Sequence, residues 1–118
     1  MKFAILVYET AGSFDAREGA DQREAYWGAY TAFGGALAQA GAMSGGAALT
    51  PPGSATTLRS RGGALQVIDG PFADIKEQLG GFFLIEAESL DAALALARQC
   101  PSLQEGMGCV EVRPLLSM

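Results

Sequence analysis

At 118 residues the chain is expected to be one domain, long enough to build a core without a metal or disulfide staple. Eight basic against thirteen acidic residues give a net charge of −5 with no basic stripe, which argues against nucleic acid and against a membrane surface as partners. Hydrophobic residues make up 49% of the chain, a high share for a small soluble protein, so part of that surface is expected in a subunit interface.

The opening MKFAILVYET has one basic residue and a short apolar run ending at Tyr8, and reads as a strand rather than a signal peptide. No apolar stretch approaches the ~18 residues of a membrane span. Thr10 to Gly19 is polar and reads as a loop. Asp21 followed by Glu24 has the spacing of a capping box, and Tyr26, Tyr30, Phe33 and Leu37 then form one apolar helix face, with Gly41 suited to the C-terminal cap. Gly28, Gly34 and Gly35 inside that helix suggest close backbone packing. Ala42 to Pro52 is Gly-rich and reads as a short edge strand or extended loop.

Thr56 to Arg61 and Ala64 to Asp69 are two strands joined through Gly62-Gly63, a hairpin signal. Pro71 to Leu79 is a connection, with one helical turn expected around Ala73 to Gln78, and Gly81 to Ala87 is a strong strand. Ser89 suits the N-cap of a second helix whose Leu90, Ala93, Leu94 and Ala97 share a face, and which stops at Cys100 before Pro101. Cys109 to Arg113 is the last strand. Cys100 and Cys109 are the only cysteines, and without a secretion signal they are expected as reduced thiols in the cytoplasm.

The order β-α-(β)-β-β-β-α-β is an α+β pattern of ferredoxin-like type. Right-handed crossovers put both helices on one face of an antiparallel sheet. The other face should be polar if it meets water, yet Phe82 to Ile85 and Phe3 to Val7 are apolar on both sides. A second copy is the simplest cover, so a homodimer with packed sheets is expected over a monomer whose loops fold across the sheet.

The chain has no histidine, which removes Ser-His, Cys-His and His-metal chemistry together. No P-loop or dinucleotide fingerprint occurs, and no metal or cofactor is expected. Asp69, between a strand and Gly70-Pro71, is the candidate catalytic carboxylate, a general base if desolvated; the competing reading is an Asx-type turn bonded to amides near Phe72. Lys76 and Glu77 in the following connection can orient a ligand or form a solvated pair. Val110 and Val112 share one strand face and Glu111 and Arg113 the other, so the latter two either hold a ligand or pair at an interface. Arg59 alternates with Arg61 on a strand, able to receive an acidic ligand or to protect an edge. Tyr8 ends the first strand, where its phenol reaches a pocket or sits half-buried in the core. Cys100 lies at a helix C-terminus, where the dipole disfavours a thiolate.

The block Asp69-Gly70-Pro71-Phe72-Ala73-Asp74-Ile75-Lys76-Glu77-Gln78-Leu79-Gly80-Gly81-Phe82-Phe83-Leu84-Ile85 resembles the signature of the DGPF-type proteins, a bacterial branch of the YCII-related family. MKFAILVYE is similar to that family's opening strand, Ala55-Thr56-Thr57-Leu58-Arg59 to its central strand, and Cys100-Pro101 with Val110 to Pro114 to its closing segments. The resemblance implies a ferredoxin-like fold assembled as a dimeric α+β barrel. Related YCII-type proteins have been proposed as enzymes on a His-Asp pair; this chain lacks the histidine, and only Asp69 carries over. Neighbouring sigma-factor genes in the DGPF branch imply an accessory or regulatory role as another reading.

Three functions follow. The first is a homodimer binding a small anionic or apolar ligand at a pocket edged by Tyr8, Asp69, Lys76, Glu111 and Arg113. The second is a cofactor-free acid-base enzyme of isomerase or monooxygenase type, with Asp69 as base and Arg113 or Lys76 stabilising an anion. The third is a module that contacts a regulatory protein.

Overall fold

Alternation builds the first strand. In β1 (Lys2–Thr10) the side chains of Phe3, Ile5, Val7 and Glu9 are buried, while those between them are only half-buried. The computed structural model describes residues 1–117. The remaining elements are α1 (Ala11–Ala16), α2 (Arg23–Gln39), β2 (Met43–Ala48), β3 (Thr56–Arg61), β4 (Ala64–Asp69), β5 (Glu77–Glu86), α3 (Leu90–Ala97) and β6 (Gly108–Pro114).

Four strands form one antiparallel sheet in the order β2-β5-β1-β6. Without the β3–β4 hairpin this is the ferredoxin-like βαββαβ order, with two crossovers that place helices on a single face. The expected α+β fold class is therefore the observed one. Phe33 and Leu37 from α2 and Ala93 and Ala97 from α3 close over Phe3, Ile5, Val7 and Ile85 as one core. Burial of such side chains contributes roughly 1.5–3 kcal/mol for each large one. Ser89 caps α3 by accepting from the Ala92 amide at 3.1 Å, and Gly41 ends α2 with φ +69°.

Several local expectations change. Thr10 to Gly19 is not simply a loop. Thr10 accepts from the Ser13 amide at 3.2 Å and caps α1, which buries Ser13, Phe14 and Ala16. Asp21 does not cap α2, which begins at Arg23 after Gln22 with no side-chain cap bond. Gly28 and Gly35 have nothing within 4 Å of where a Cβ would stand, so close packing in this chain does not explain them. Ala73 to Gln78 forms no helical turn; β5 begins at Glu77 and the segment before it only bends.

The hairpin is the largest departure. β3 and β4 pair only with each other, in a register from Thr56–Asp69 to Arg61–Ala64, and form a separate two-stranded arm. All six residues of β4 are exposed. The segment that resembles a central strand thus lies in this arm, and the Asp-Gly-Pro-Phe run leaves an exposed strand rather than a buried one.

Candidate functional site

The buried phase of β1 ends on a carboxylate. Glu9 continues the face of Phe3, Ile5 and Val7 and is 1% exposed, an expensive position for a charge without partners. Three donors meet it. Ser13 donates to Oε1 at 2.8 Å, the Tyr26 hydroxyl donates to the same oxygen, and Arg17 Nη2 donates to Oε2 at 2.7 Å. The short helix α1 brings Ser13 and Arg17 to one side, and the first turns of α2 bring Tyr26 to the other.

Arg17 is itself anchored. Its Nε donates to the Tyr26 hydroxyl at 3.0 Å, Nη2 also donates to the Gly80 carbonyl at 3.0 Å, and Nη1 donates to the Leu49 carbonyl. Its guanidinium carbon lies 4.7 Å from the centre of the Phe14 ring and 5.4 Å from that of Trp27, and the Trp27 indole donates to the Arg17 carbonyl at 3.1 Å. These bonds use four of the five guanidinium N–H groups.

The sheet bends to admit this cluster. Val7 pairs with Gly81 while the next residue, Tyr8, pairs with Leu79, so Gly80 is the extra residue of a β-bulge. A Cβ on Gly80 would stand 1.8 Å from Glu9 Oε2, so only glycine fits beside the seated carboxylate. The bulge also turns the Gly80 carbonyl to good use, since it accepts from Arg17 and from the Leu49 amide at 2.8 Å.

Burial first, and then the bond to Glu9, push the Tyr26 phenol up to about 12, with Arg17 opposing. Burial works against the Arg17 charge, but the hydrogen bonds to Tyr26 and Glu9 and the carboxylate charge outweigh it and raise the group. Tyr26 therefore stays a neutral phenol and Arg17 a cation across the physiological range. Burial likewise pushes up the Tyr30 phenol and the Cys100 thiol.

Above this cluster lies a cavity of about 280 Å³ between α2 and the sheet. Its polar floor is Glu9, Arg17 and Tyr26, and its apolar walls include Trp27, Tyr30, Met43 and Phe83. Tyr26 packs edge-on to Trp27 at 4.8 Å between ring centres and tilted to Tyr30 at 5.0 Å, which fixes the aromatic wall. Glu9 and Arg17 were not singled out from the sequence, yet a signal for Glu9 existed. Counting by twos from Phe3 puts Glu9 on the buried face.

The residues singled out from the sequence lie elsewhere. Tyr8, Glu77, Glu111 and Arg113 share the sheet face opposite the helices, because Tyr8 pairs with Leu79 and Cys109, and Glu111 pairs with Leu6. Glu111 and Arg113 form an ion pair there, substantially exposed and worth under about 1 kcal/mol. Glu77 and Glu111, after partial burial, push the Cys109 thiol up, which makes it a poor nucleophile. Tyr8 borders a hollow of about 560 Å³ between the sheet and the root of the arm, beside Phe72, Gln78 and Leu79. Lys76 is exposed and lines a depression on another side of Glu9. Arg59 lies on the arm, its guanidinium carbon 4.8 Å from the centre of the Phe72 ring. Asp69 is exposed at the arm's root, opposite Thr56, and lines neither hollow.

Among the described residues no group of three or more His, Cys, Asp or Glu is placed to hold a metal ion, and no helix is long and apolar enough to cross a membrane.

Comparison with known proteins agrees with this architecture. The family model of the YCII-related domain matches residues 1–118. An uncharacterized protein of Rhizobium meliloti (strain 1021) is 48% identical over 77 residues, a stretch that covers 65% of this chain and 62% of that relative. Among solved structures, 5-chloro-2-hydroxyhydroquinone dehydrochlorinase from Burkholderia phenoliruptrix, in complex with 2,5-dihydroxybenzoquinone, superposes with a TM-score of 0.55 at 21% identity. The superposition covers 98% of this chain and 94% of that one, and it shows a shared fold.

Proposed function

The chain belongs to the YCII-related domain family, and from that premise we propose that it is a cytoplasmic homodimer that binds a small, single-ring aromatic compound in the cavity between α2 and the sheet. The observation that carries this reading is the pairing of aromatic walls with a buried polar floor in about 280 Å³, a volume near the lower end for ligand pockets. The floor is electrically balanced. Glu9 and Arg17 already neutralise each other, so the ligand that fits is uncharged and carries a hydroxyl or carbonyl group rather than a carboxylate. The structural neighbour holds a one-ring dihydroxyquinone, which fits the same size class.

Homodimerisation is supported by the sheet face away from the helices. Ala4, Leu6, Phe82 and Leu84 on it are only half-buried, and no helix of this chain covers them. Acid-base catalysis by Asp69 has less support, because an exposed carboxylate has nothing to desolvate it.

Trp27 is the one tryptophan of the chain and edges the cavity, so its fluorescence reports occupancy directly. Hydroquinone, catechol, 4-hydroxybenzoate and acetate are the probes. Saturable changes with the neutral phenols, weaker ones with the benzoate and none with acetate are expected. Enlarging Gly46, which also lines the cavity, is avoided because a Cβ there would stand 2.6 Å from the Phe82 carbonyl; Thr31→Trp narrows the cavity from the helix side and should abolish the signal. A response to none of the phenols, or one that survives Thr31→Trp unchanged, overturns the reading.

A further inference from the structure

The arm formed by β3 and β4 has an apolar face with nothing of its own chain beneath it. Pairing of Leu58 with Val67 and of Ser60 with Leu65 puts Leu58, Leu65 and Val67 on one side. They are 64%, 69% and 68% exposed. An isolated two-stranded hairpin is marginally stable in water, so an arm of this kind needs something to pack on. The whole molecule reflects the projection: its radius of gyration is 15.8 Å, against about 13–14 Å for a compact chain of this length.

We propose that the arm is a clasp for a second copy of this chain, its Leu58, Leu65 and Val67 face lying on the partner's body beside the open sheet face. The inference rests on the homodimer reading and adds to it where the arm goes. Two observations choose this occupant. The first is area. On that face Leu58, Leu65 and Val67 are 64–69% exposed and present on the order of 350 Å² of apolar surface, the size of a monomer's largest patch. Two arms related by a twofold axis supply about 700 Å², and the matching area they cover on the partner brings the total to about 1,400 Å², within the range of a stable interface. The second is charge. Residues 56–69 hold Arg59, Arg61 and Asp69 and are net +1, which leaves −6 on the rest of the chain. Arg59 and Arg61 stand on the face of the arm opposite Leu58, so this charge acts at long range, drawing the arm toward the acidic body of another copy and away from another arm. The clasp is also continuous with the sheet face proposed to pair, since the arm's root and Tyr8 border the same hollow.

The test measures dimerisation of the full chain by sedimentation across a concentration series, for the natural sequence and for three variants. Leu65→Glu combined with Val67→Glu is expected to weaken dimerisation by about a hundredfold or more. Leu103→Glu, an exposed leucine away from the arm, is expected to leave it unchanged. The third variant replaces residues 57–68 by a two-glycine turn, which the Thr56–Asp69 pairing can close, and should dissociate in the same way while the core keeps its circular dichroism. Hydrogen exchange should show arm amides protected in the natural dimer and fast in the charged variant. A dimer unaffected by both arm variants leaves the homodimer standing and overturns the clasp. A natural protein that is monomeric at every concentration overturns both.

Discussion

Replacing Glu9 by glutamine tests whether the buried cluster holds the molecule together. Glu9 is 1% exposed and Arg17 8%, and they meet at 2.7 Å. The amide has one acceptor oxygen where the carboxylate has two, so Ser13, Tyr26 and Arg17 cannot all be satisfied, and the guanidinium loses its counter-charge inside the fold. Breaking a buried pair from one side costs about 3–5 kcal/mol. A domain of this size has a total stability of roughly 5–15 kcal/mol, so Glu9→Gln should remove a large share of it. Arg17→Met together with Glu9→Gln removes the stranded charge and should cost about 2 kcal/mol less than Glu9→Gln alone. Urea unfolding followed by Trp27 fluorescence, at fixed protomer concentration, measures all the variants. A loss below about 1 kcal/mol for Glu9→Gln, or strict additivity in the double variant, would refute the reasoning, because the pair would then behave as solvated.

Two further predictions concern the same cluster. Gly80→Ala should cost about 2–4 kcal/mol in the same urea assay, since its Cβ would drive Glu9 out of its seat; a neutral result would mean that the carboxylate moves aside freely. The raised Tyr26 phenol gives a pH dependence with a defined sign. The native state holds the proton up to about 12, whereas the unfolded chain releases it near 10. Tyr26 therefore contributes its full stability below about pH 10 and loses roughly 2 kcal/mol between about pH 10 and 12. The raised Tyr30 phenol acts in the same direction. Unfolding curves measured across that window should fall more steeply for the natural protein than for Tyr26→Phe, and equal slopes would show that the phenol is not held by the cluster.

What the sequence by itself determined is what neighbouring residues decide among themselves. The alternation of Phe3, Ile5 and Val7, the helix face of Tyr26, Tyr30, Phe33 and Leu37, the Gly62-Gly63 hairpin and the Ser89 cap are all set by periodicity and local hydrogen bonding, and each is present in the fold. From that pattern the ferredoxin-like order and the shared helix face follow through chain handedness. The short helix α1 was less legible, because six residues carry too little periodicity and a single Thr10 cap starts it. The site depended on contacts that no local pattern records. Arg17 reaches Glu9 eight positions away and Gly80 sixty-three positions away. Whether β3 and β4 join the sheet or leave it was likewise undecided by their own residues, which suit a strand in either place. Tertiary structure alone assembled Glu9, Arg17, Tyr26 and the Gly80 bulge under one cavity and carried Asp69 out to the arm, because burying a charge is tolerable only where distant donors converge on it.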